Sequence, residues 1–307
     1  ILIIKHGSLG DLIQANGAIN DIKNQYKNSK VLLLTGEPYL DLMSKCPYID
    51  GVLVDKRLPR WNIFYLKKLK NLLSKYKFTH VFDLQNSSRT RFYRKFLLTN
   101  TIWSSTDTVL NNKVNKKDFD KAPVLERMKY QLEKSGIKTQ YINNINLSWA
   151  FTNIQNLLDK HEVKKYLLFF PFCSKKHLNK KWPFFSELIK ILEGKYGNKY
   201  SLLIAPGPDE VKESMSFNCK NILDNGKPIN VSELITLIEK SEFVISNDTG
   251  PAHIASHLNK KGLVLFGDHT SPSQVSIENN SFKALTVKKL SDLGVNRVLN
   301  EIFKILN

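Results

Sequence analysis

The sequence predicts an α/β protein built from two doubly wound domains. Short apolar runs alternate with longer segments of helical period, which is the pattern of βαβ units that form a parallel sheet. The chain of 307 residues suggests about two domains, and a polar, strand-poor stretch at 143–162 separates two such series. We therefore predict domains at 1–150 and 151–289, followed by a closing segment at 290–307.

Each predicted strand is a short apolar run that ends at a turn or a helical segment. In the first domain the strands are predicted at 1–5, 30–35, 51–55, 80–84 and 101–104, with helices near 11–26, 61–76 and 121–135. In the second domain the strands are predicted at 166–170, 201–205, 221–223, 243–246 and 262–266, with helices near 184–195, 231–240 and 251–257. The closing segment has apolar residues at helical spacing after Gly294 and is predicted to be an amphipathic helix.

The composition excludes several protein classes. With 42% hydrophobic and 24% charged residues the chain is neither collagen-like nor disordered, and no apolar run approaches the roughly 18–20 residues of a membrane-spanning helix. The cysteines, Cys46, Cys173 and Cys219, are far apart and lack metal-ligand spacing, so neither a disulfide framework nor a zinc site is predicted. We expect a soluble protein of the reducing cytoplasm.

The net charge of +18 indicates an anionic partner. Residues 1–150 carry 25 basic and 12 acidic side chains, a net charge of +13, whereas residues 151–307 carry 21 and 16, a net charge of +5. Nucleic acid, an anionic membrane surface and a phosphorylated substrate each fit this charge, so the motifs must distinguish among them.

The turns after the predicted strands are where a doubly wound domain binds its ligands. The first turn runs from Lys5 to Asp11 and contains two glycines, which let the backbone approach a ligand at the start of a helix. Asp11 suits either a helix cap or a catalytic base. The GxxG spacing differs from the GxGxxG dinucleotide fingerprint, which argues against an NAD-dependent enzyme.

The second turn, at 170–183, combines a hydroxyl with several ammonium groups. Ser174, Lys180 and Lys181 are suited to contact a phosphate. The alternative is a solvated basic loop in which Trp182 anchors the packing. The third turn, at 205–210, presents two adjacent carboxylates that suit either ribose hydroxyls or the N-terminus of a helix.

The fourth turn, at 246–253, places Asp248, Thr249 and Gly250 directly before a helix. Backbone N–H groups at such a position bind phosphates, and Asp248 can orient sugar hydroxyls. His253 follows them, either as a ligand contact or as a core histidine. A fifth turn, at 266–272, adds polar groups at another strand end.

In their order and separations these turns resemble glycosyltransferase family 9, the ADP-heptose:lipopolysaccharide heptosyltransferases. The strongest element is SNDTGPAHIA at 246–255, followed by GSLGD at 7–11 and KKWP at 180–183, and the resemblance covers nearly the whole chain. It implies a GT-B architecture of two Rossmann-like domains facing a central cleft, with an acceptor-binding N-terminal domain and a nucleotide-sugar-binding C-terminal domain. It also implies a last helix, within 290–307, that crosses back to the first domain.

The resemblance implies a role for individual residues. Asp11 is the implied catalytic base, and Lys180 is the implied lysine beside the donor diphosphate. The other implied donor-binding residues are Ser174, Lys181, Asp209, Glu210, Asp248, Thr249, Gly250 and His253. Lys181 remains an alternative to Lys180, and Asp209 an alternative to Glu210. The family usually has a Leu-Pro or similar pair after its Gly-Asp, whereas this sequence has Ala-Asn-Gly at 15–17, which affects the acceptor side.

The implied reaction is an inverting transfer of a heptose or related sugar from an ADP-sugar. It needs a base on one side of the anomeric carbon and positive charge on the other. The positive groups can replace a metal ion, and no DxD-type pair of carboxylates stands at a strand-end turn. We therefore expect no metal and no cofactor, and activity in EDTA.

On the acceptor side we predict contacts from Gly10 and from four arginines, Arg57, Arg60, Arg91 and Arg94. Arg91, Arg94 and Lys95 fall at i, i+3 and i+4, so one helix face presents all three cations. This face is either solvated or, with the segment 56–60, binds phosphates or acidic sugars of a lipid-anchored acceptor. The second interpretation predicts peripheral contact with the cytoplasmic face of the inner membrane.

Two alternatives stay open. A GT-B transferase that uses a different nucleotide sugar fits the same turns. A basic nucleic-acid-binding protein fits the net charge and the clusters at 56–61 and 89–95, but the sequence has no helix-turn-helix, zinc-finger or RNP motif. Nucleic acid is therefore not expected as a partner.

Overall fold

A computed structural model describes residues 1–111 and 114–306. The chain divides into two compact units, Ile1–Trp149 and Ala150–Asn307. Each unit is built on a parallel sheet whose strands are connected by helices, so the predicted α/β class is confirmed. No helix in the described ranges is both long enough and apolar enough to cross a bilayer.

The first unit has a five-stranded parallel sheet in the order β3-β2-β1-β4-β5. Its strands are β1 Leu2–Ile4, β2 Leu32–Thr35, β3 Gly51–Val54, β4 His80–Asp83 and β5 Ile102–Ser104. Its helices are α1 Leu9–Gln14, α2 Asn16–Gln25, α3 Leu40–Met43, α4 Ile63–Ser74, α5 Ser88–Phe96, α6 Thr106–Val109, α7 Lys116–Phe119 and α8 Val124–Lys134. The central strands are fully buried, which is why they are uninterrupted apolar runs.

The register of the first sheet brings several strand ends together. Ile4 of β1 pairs with Leu34 of β2 on one side and with Asp83 of β4 on the other. The residues that follow β1, β2 and β4 therefore lie side by side at the carboxyl edge. Tyr65 of α4 and Tyr93 of α5 pack into the same core beneath this edge.

The second unit has a six-stranded parallel sheet in the order β13-β12-β11-β6-β7-β8 and a separate antiparallel pair, β9 and β10. Its strands are β6 Tyr166–Phe170, β7 Ser201–Ile204, β8 Lys220–Asn221, β9 Leu223–Asp224, β10 Lys227–Pro228, β11 Phe243–Asn247, β12 Gly262–Phe266 and β13 Phe282–Thr286. Its helices are α9 Gln155–Lys160, α10 Phe185–Tyr196, α11 Val211–Ser214, α12 Val231–Lys240, α13 Gly250–His257 and α14 Val295–Leu306.

The closing segment forms α14, whose apolar side packs on the second unit. Val298 and Ile302 are fully buried and belong to the same core as Trp182 and Leu188. The Trp182 indole N–H also donates to the carbonyl oxygen of Leu293, just before α14 begins, at 2.8 Å. This helix, for which the resemblance implies a crossing to the first domain, thus has its buried face in the core of the second unit.

Several predicted elements differ from those in the structure. The single helix predicted at 11–26 is two helices, α1 and α2, which meet at Ala15. The strand predicted at 221–223 is instead divided between β8 and β9, which pair with different neighbours. The short helices α3, α6, α7, α9 and α11 were not predicted because four to six residues are too few to show a helical period. The strand β13 was missed because its residues, Phe-Lys-Ala-Leu-Thr, do not form an apolar run.

Candidate active site

The turn after β1 presents Asp11 at the carboxyl edge of the first sheet. Ser8 precedes α1, and Asp11 is the third residue of that helix. Asp11 Oδ2 accepts hydrogen bonds from the backbone N–H and the hydroxyl of Ser8, each at 3.0 Å. This is a capping box, yet the Asp11 side chain remains 42% exposed. The carboxylate is therefore both part of the helix start and accessible to a ligand.

Lys5 lies beside Asp11 and was not singled out in the sequence. Its ammonium is 3.6 Å from Asp11 Oδ1 and donates to the Leu84 carbonyl oxygen at 3.1 Å. The Lys5 side chain is buried. A positive charge therefore lies beside the carboxylate of the predicted base.

A cavity of about 250 Å³ opens beside these two residues in the first unit. The lining includes Lys5, Asp11, Asn86, Lys116, Arg127 and Gln131. The Asn86 side-chain amide donates to Gln131 Oε1 at 2.7 Å, and Gln131 Nε2 donates to the Ser104 carbonyl oxygen at 3.0 Å, so the amide wall is preformed. Asp120 also lines the cavity and lies 3.7 Å from the Arg127 guanidinium, so three cations, two carboxylates and side-chain amides form a concave site that suits a polar ligand.

The four arginines predicted on the acceptor side lie elsewhere on the first unit. Arg91 is 3.5 Å from Asp107, and Arg60 donates to the Ser88 carbonyl oxygen at 3.3 Å. Arg57 is exposed with a left-handed backbone (φ 52°), and Arg94 lies on α5. Among the described residues, none of these four lines the cavity described above. Gly10, the other predicted acceptor contact, is buried within α1.

A buried polar network holds the turn after β1 in place. Asp55, just after β3, accepts hydrogen bonds from the hydroxyls of Tyr65 and of Tyr93, the latter at 2.6 Å, and from the Arg57 backbone N–H at 2.8 Å. His6 Nε2 lies 2.8 Å from Asp55 Oδ2. Burial opposes ionisation, but the hydrogen bonds from His6 and the two tyrosines hold the pKa of Asp55 below its usual range. The network connects the turn to β3, α4 and α5. Apart from aromatic residues at core positions, no sequence pattern indicated it.

Gly7 lets an aromatic ring close over this turn. Gly7 has a φ of +106°, and a Cβ at this position would lie 2.3 Å from Tyr39 Cε2. The peptide bond between Gly7 and Ser8 is cis. Burial and the Asp11 carboxylate raise the pKa of Tyr39, while Arg57 opposes that rise. The Tyr39 hydroxyl thus interacts electrostatically with both the predicted base and Arg57.

In the second unit two of the predicted donor residues, Lys180 and His253, lie around a third, Asp248, between β11 and α13. Asp248 is buried. Its Oδ2 accepts a hydrogen bond from Lys180 Nζ at 2.6 Å and lies 3.0 Å from His269 Nε2. His253 Nε2 is 3.9 Å from Asp248 Oδ1. Burial opposes ionisation, but Lys180 above all, with His253 and His269, lowers the pKa of Asp248. One ionised carboxylate therefore holds a lysine and two histidines at the start of a helix.

His269 is a site residue that the sequence analysis did not assign. It lies in the fifth turn, where the imidazole stacks on Phe266 with ring centroids 5.8 Å apart and an interplanar angle of 12°. Its Nδ1 is buried and has no hydrogen-bond partner in the part of the chain that the structure describes. Its position after a parallel strand was the available signal, but nothing in the sequence related it to Asp248.

The two candidate lysines have different partners. Lys180 pairs with Asp248, whereas Lys181 pairs with Glu213 at the surface. Trp182, which follows them, is buried, and its backbone N–H donates to Asn247 Oδ1 at 3.1 Å. This hydrogen bond ties the lysine segment to the end of β11.

The remaining predicted donor residues occupy the same carboxyl ends. Thr249 caps α13, and Gly250 is its first residue. The Ser174 hydroxyl accepts from the Lys176 N–H at 3.4 Å. Glu210 Oε2 accepts from the Gly207 N–H at 2.7 Å, and burial raises the Glu210 pKa, whereas Asp209 is exposed. Within residues 1–111 and 114–306, no group of three or more His, Cys, Asp or Glu side chains has the arrangement of a metal site.

Comparisons with known proteins point to one family. The family model of glycosyltransferase family 9 (heptosyltransferase) matches residues 66–291. A lipopolysaccharide heptosyltransferase 1 from Campylobacter coli is 22% identical over 341 aligned positions. The alignment covers 96% of this chain and 89% of that protein. The structure of a family 9 glycosyltransferase from Veillonella parvula has a TM-score of 0.76 at 17% identity and covers 99% of this chain and 96% of its own. E. coli heptosyltransferase WaaC with ADP has a TM-score of 0.72 at 16% identity and covers 99% of both chains.

Proposed function

Because the chain belongs to glycosyltransferase family 9 and is therefore a glycosyltransferase, we propose that it transfers a heptose from an ADP-sugar to an anionic, lipopolysaccharide-type acceptor. The proposed transfer inverts the anomeric centre and needs no metal. The proposed place of reaction is the cytoplasmic face of the inner membrane, where a lipid-anchored acceptor would be reached by peripheral contact.

The observation that carries the proposal is the group of one lysine and two histidines around Asp248. Lys180, His253 and His269 surround one buried carboxylate at the start of α13. A donor diphosphate would compete with Asp248 for the Lys180 ammonium and would also meet the N–H groups at the helix start. Asp248 would then be available to accept hydrogen bonds from sugar hydroxyls. These residue types supply positive charge to a leaving nucleoside diphosphate without a metal.

The proposed chemistry uses one group from each unit. Asp11 accepts the proton of an acceptor hydroxyl, and the resulting oxygen attacks the anomeric carbon. The bond between that carbon and the diphosphate oxygen breaks, and its electron pair leaves with the nucleoside diphosphate. Lys180 stabilises the charge that develops there. Lys5, 3.6 Å from Asp11, places a positive charge beside the proposed base.

The acceptor is proposed to enter the cavity of the first unit. Lys5, Lys116 and Arg127 line it together with the Asn86 and Gln131 amides. Cations suit acidic groups and amides suit sugar hydroxyls, which supports an anionic glycan as the acceptor. The net charge of +13 on residues 1–150 is consistent with this assignment.

A donor panel tests the proposal. The purified chain is incubated with a heptose-deficient lipopolysaccharide acceptor and with ADP-heptose, ADP-glucose, a GDP-sugar or a UDP-sugar, and the released nucleoside diphosphate is measured with EDTA or with Mg²⁺. We expect acceptor-dependent release from ADP-heptose that persists in EDTA. Release from only a UDP- or GDP-sugar would contradict the proposed donor, and full dependence on a divalent metal would contradict the proposed mechanism.

A further inference from the structure

An exposed apolar patch lies between β3 and α4, and none of its residues lines the cavity described in the first unit. It consists of Leu58, Trp61, Ile63 and Phe64, and we call it the Trp61 patch. Trp61 is 80% exposed, Ile63 75% and Phe64 84%. Large apolar side chains that are scattered singly on a surface need no explanation, but a contiguous run of them marks an interaction site.

The fold does not use the Trp61 patch for its core. The helix α4 buries Tyr65, Leu69 and Leu73 against the first sheet. Ile63 and Phe64 belong to the opposite, solvent side of the same helix, together with the exposed Lys67 and Lys68. The apolar residues of the patch therefore stay in water for a reason other than folding.

The patch is held on a fixed base. The Asn62 side chain caps α4 by accepting the Tyr65 N–H at 2.9 Å. On the other side, the Arg57 backbone N–H donates to the buried Asp55 carboxylate at 2.8 Å. The Arg60 guanidinium donates to the Ser88 carbonyl oxygen and lies 5.9 Å from the centre of a phenyl ring on α5. Trp61 and Phe64 are thus presented by an ordered segment.

The surroundings of the patch are basic. Between Asp55 and Asp83 the sequence has no acidic residue. It has eight basic ones: Lys56, Arg57, Arg60, Lys67, Lys68, Lys70, Lys75 and Lys77. Aromatic residues with a rim of lysine and arginine suit the boundary between the headgroups and acyl chains of an anionic bilayer, where the rings enter the interface and the cations meet phosphates.

We propose that the Trp61 patch docks on an anionic phospholipid surface. Trp61, Ile63 and Phe64 enter the interfacial layer, and Lys56, Lys67 and Lys68 contact lipid phosphates. The purpose of this docking rests on the proposed function, since it brings a transferase to a lipid-anchored acceptor. The docking itself needs neither acceptor nor donor, so its test is independent of sugar transfer.

The test is binding of the full chain to vesicles without any glycolipid. Vesicles of phosphatidylglycerol mixed with phosphatidylcholine are compared with vesicles of phosphatidylcholine alone, by co-flotation and by tryptophan emission. We expect binding to the anionic vesicles only, with a blue shift that is lost in Trp61→Phe although that variant still binds. Trp61→Ser/Phe64→Ser should weaken binding at least about tenfold (about 1.4 kcal/mol). Each of Lys67→Gln and Lys68→Gln should weaken it about fivefold, which corresponds to about 1 kcal/mol per basic residue.

Matched controls separate this surface from general effects. Met215→Ser removes an exposed apolar residue of the second unit, and Lys190→Gln/Lys240→Gln removes two exposed cations there. Both control variants should bind vesicles like the parent chain. Because Trp61 and Phe64 are exposed, thermal unfolding of the double serine variant should match that of the parent and so exclude misfolding.

Three outcomes would overturn the proposal. The first is an absence of binding to anionic vesicles, and the second is equal binding by the parent chain and the double serine variant. The third is self-association without lipid that the double serine variant abolishes, which would assign the patch to a protein partner instead. Failure of the donor panel alongside successful vesicle binding would contradict the proposed function and leave the docking surface supported.

Discussion

Replacing Lys180 by methionine tests the donor site through two separate readouts. Lys180 Nζ lies 2.6 Å from Asp248 Oδ2, and the two side chains are 25% and 3% exposed. Unit charges at that distance attract by about 6 kcal/mol at an effective permittivity of about 20, but desolvation of the carboxylate opposes most of this gain. Removing one partner of a buried pair costs about 3–5 kcal/mol. Because Lys180 is partly exposed and His269 still faces Asp248, we expect Lys180→Met to lower the free energy of unfolding by about 2–3 kcal/mol.

The stability loss should depend on pH. In the parent chain the pKa of Asp248 is lowered, so its contribution to stability is present above the unfolded pKa of about 3.9 and is lost as pH falls through the folded pKa. Without Lys180 the folded pKa rises. The difference in unfolding free energy between the two chains should therefore be largest near neutral pH and should shrink in acid, as measured by urea unfolding.

Activity provides the second readout. Loss of a positive group at the leaving diphosphate should lower kcat by about 10²–10³-fold, measured as nucleoside diphosphate release at saturating acceptor. Lys181→Met is the matched control, since Lys181 pairs with the exposed Glu213. That variant should lose less than about 1 kcal/mol of stability after solvent screening and should retain kcat within a few-fold. Equal losses of kcat in both variants, or an unchanged kcat in Lys180→Met, would refute the assignment of Lys180 to the donor diphosphate.

Three further substitutions probe the first unit. Asp11→Asn should lower kcat by about 10²–10⁴-fold in the same assay, because the amide cannot accept a proton while its oxygen can still cap α1. Gly7→Ala should cost about 1–3 kcal/mol in urea unfolding, since the new Cβ would meet the Tyr39 ring at a positive φ. Asp55→Asn should cost about 2–4 kcal/mol at neutral pH through weaker hydrogen bonds from Tyr65 and Tyr93. This difference in unfolding free energy from the parent chain should become smaller as pH falls below about 3.9, because the pKa of Asp55 is lowered in the folded chain.

Each of these three predictions has a control variant or an outcome that would contradict it. Gly194→Ala is the control for Gly7→Ala, because Gly194 has open space around it and lies in a helix, where alanine should be neutral or stabilising. A kcat within tenfold of the parent value in Asp11→Asn would exclude Asp11 as the base. Unchanged stability in Asp55→Asn would exclude the network as the support of the turn after β1.

The α/β fold could be predicted because the central strands are buried on both faces and so are continuous apolar runs. The strands at the edges of the second sheet were harder to predict. The strand β13 includes Lys283 and Thr286, which interrupt its apolar run, and β8 is only two residues long. In both cases the pairing comes from neighbouring strands rather than from local sequence, which no pattern within the segment could reveal.

The meeting of the Lys180 and Asp248 turns was more predictable than the lining of the cavity in the first unit, for a physical reason. Strand-end turns of a parallel sheet lie on one edge, so the turns that carry Lys180 and Asp248 were expected to meet. Which lysine faces Asp248 depends on tertiary contacts that the sequence does not encode locally. The predicted acceptor arginines came from charge density, whereas Lys5 and Arg127, more than a hundred positions apart in the chain, share the cavity only because the first unit folds.

The convergence on Asp248 limits how the specificity of this protein can be redesigned. Lys180 lies 68 positions before Asp248 and His269 lies 21 positions after it, yet both contact the same carboxylate oxygen. Loop grafting that replaces only one of these segments would leave the other facing a mispositioned or missing partner. A chimera intended to accept another nucleotide sugar would therefore have to exchange the loops that carry Lys180, Asp248 and His269 together.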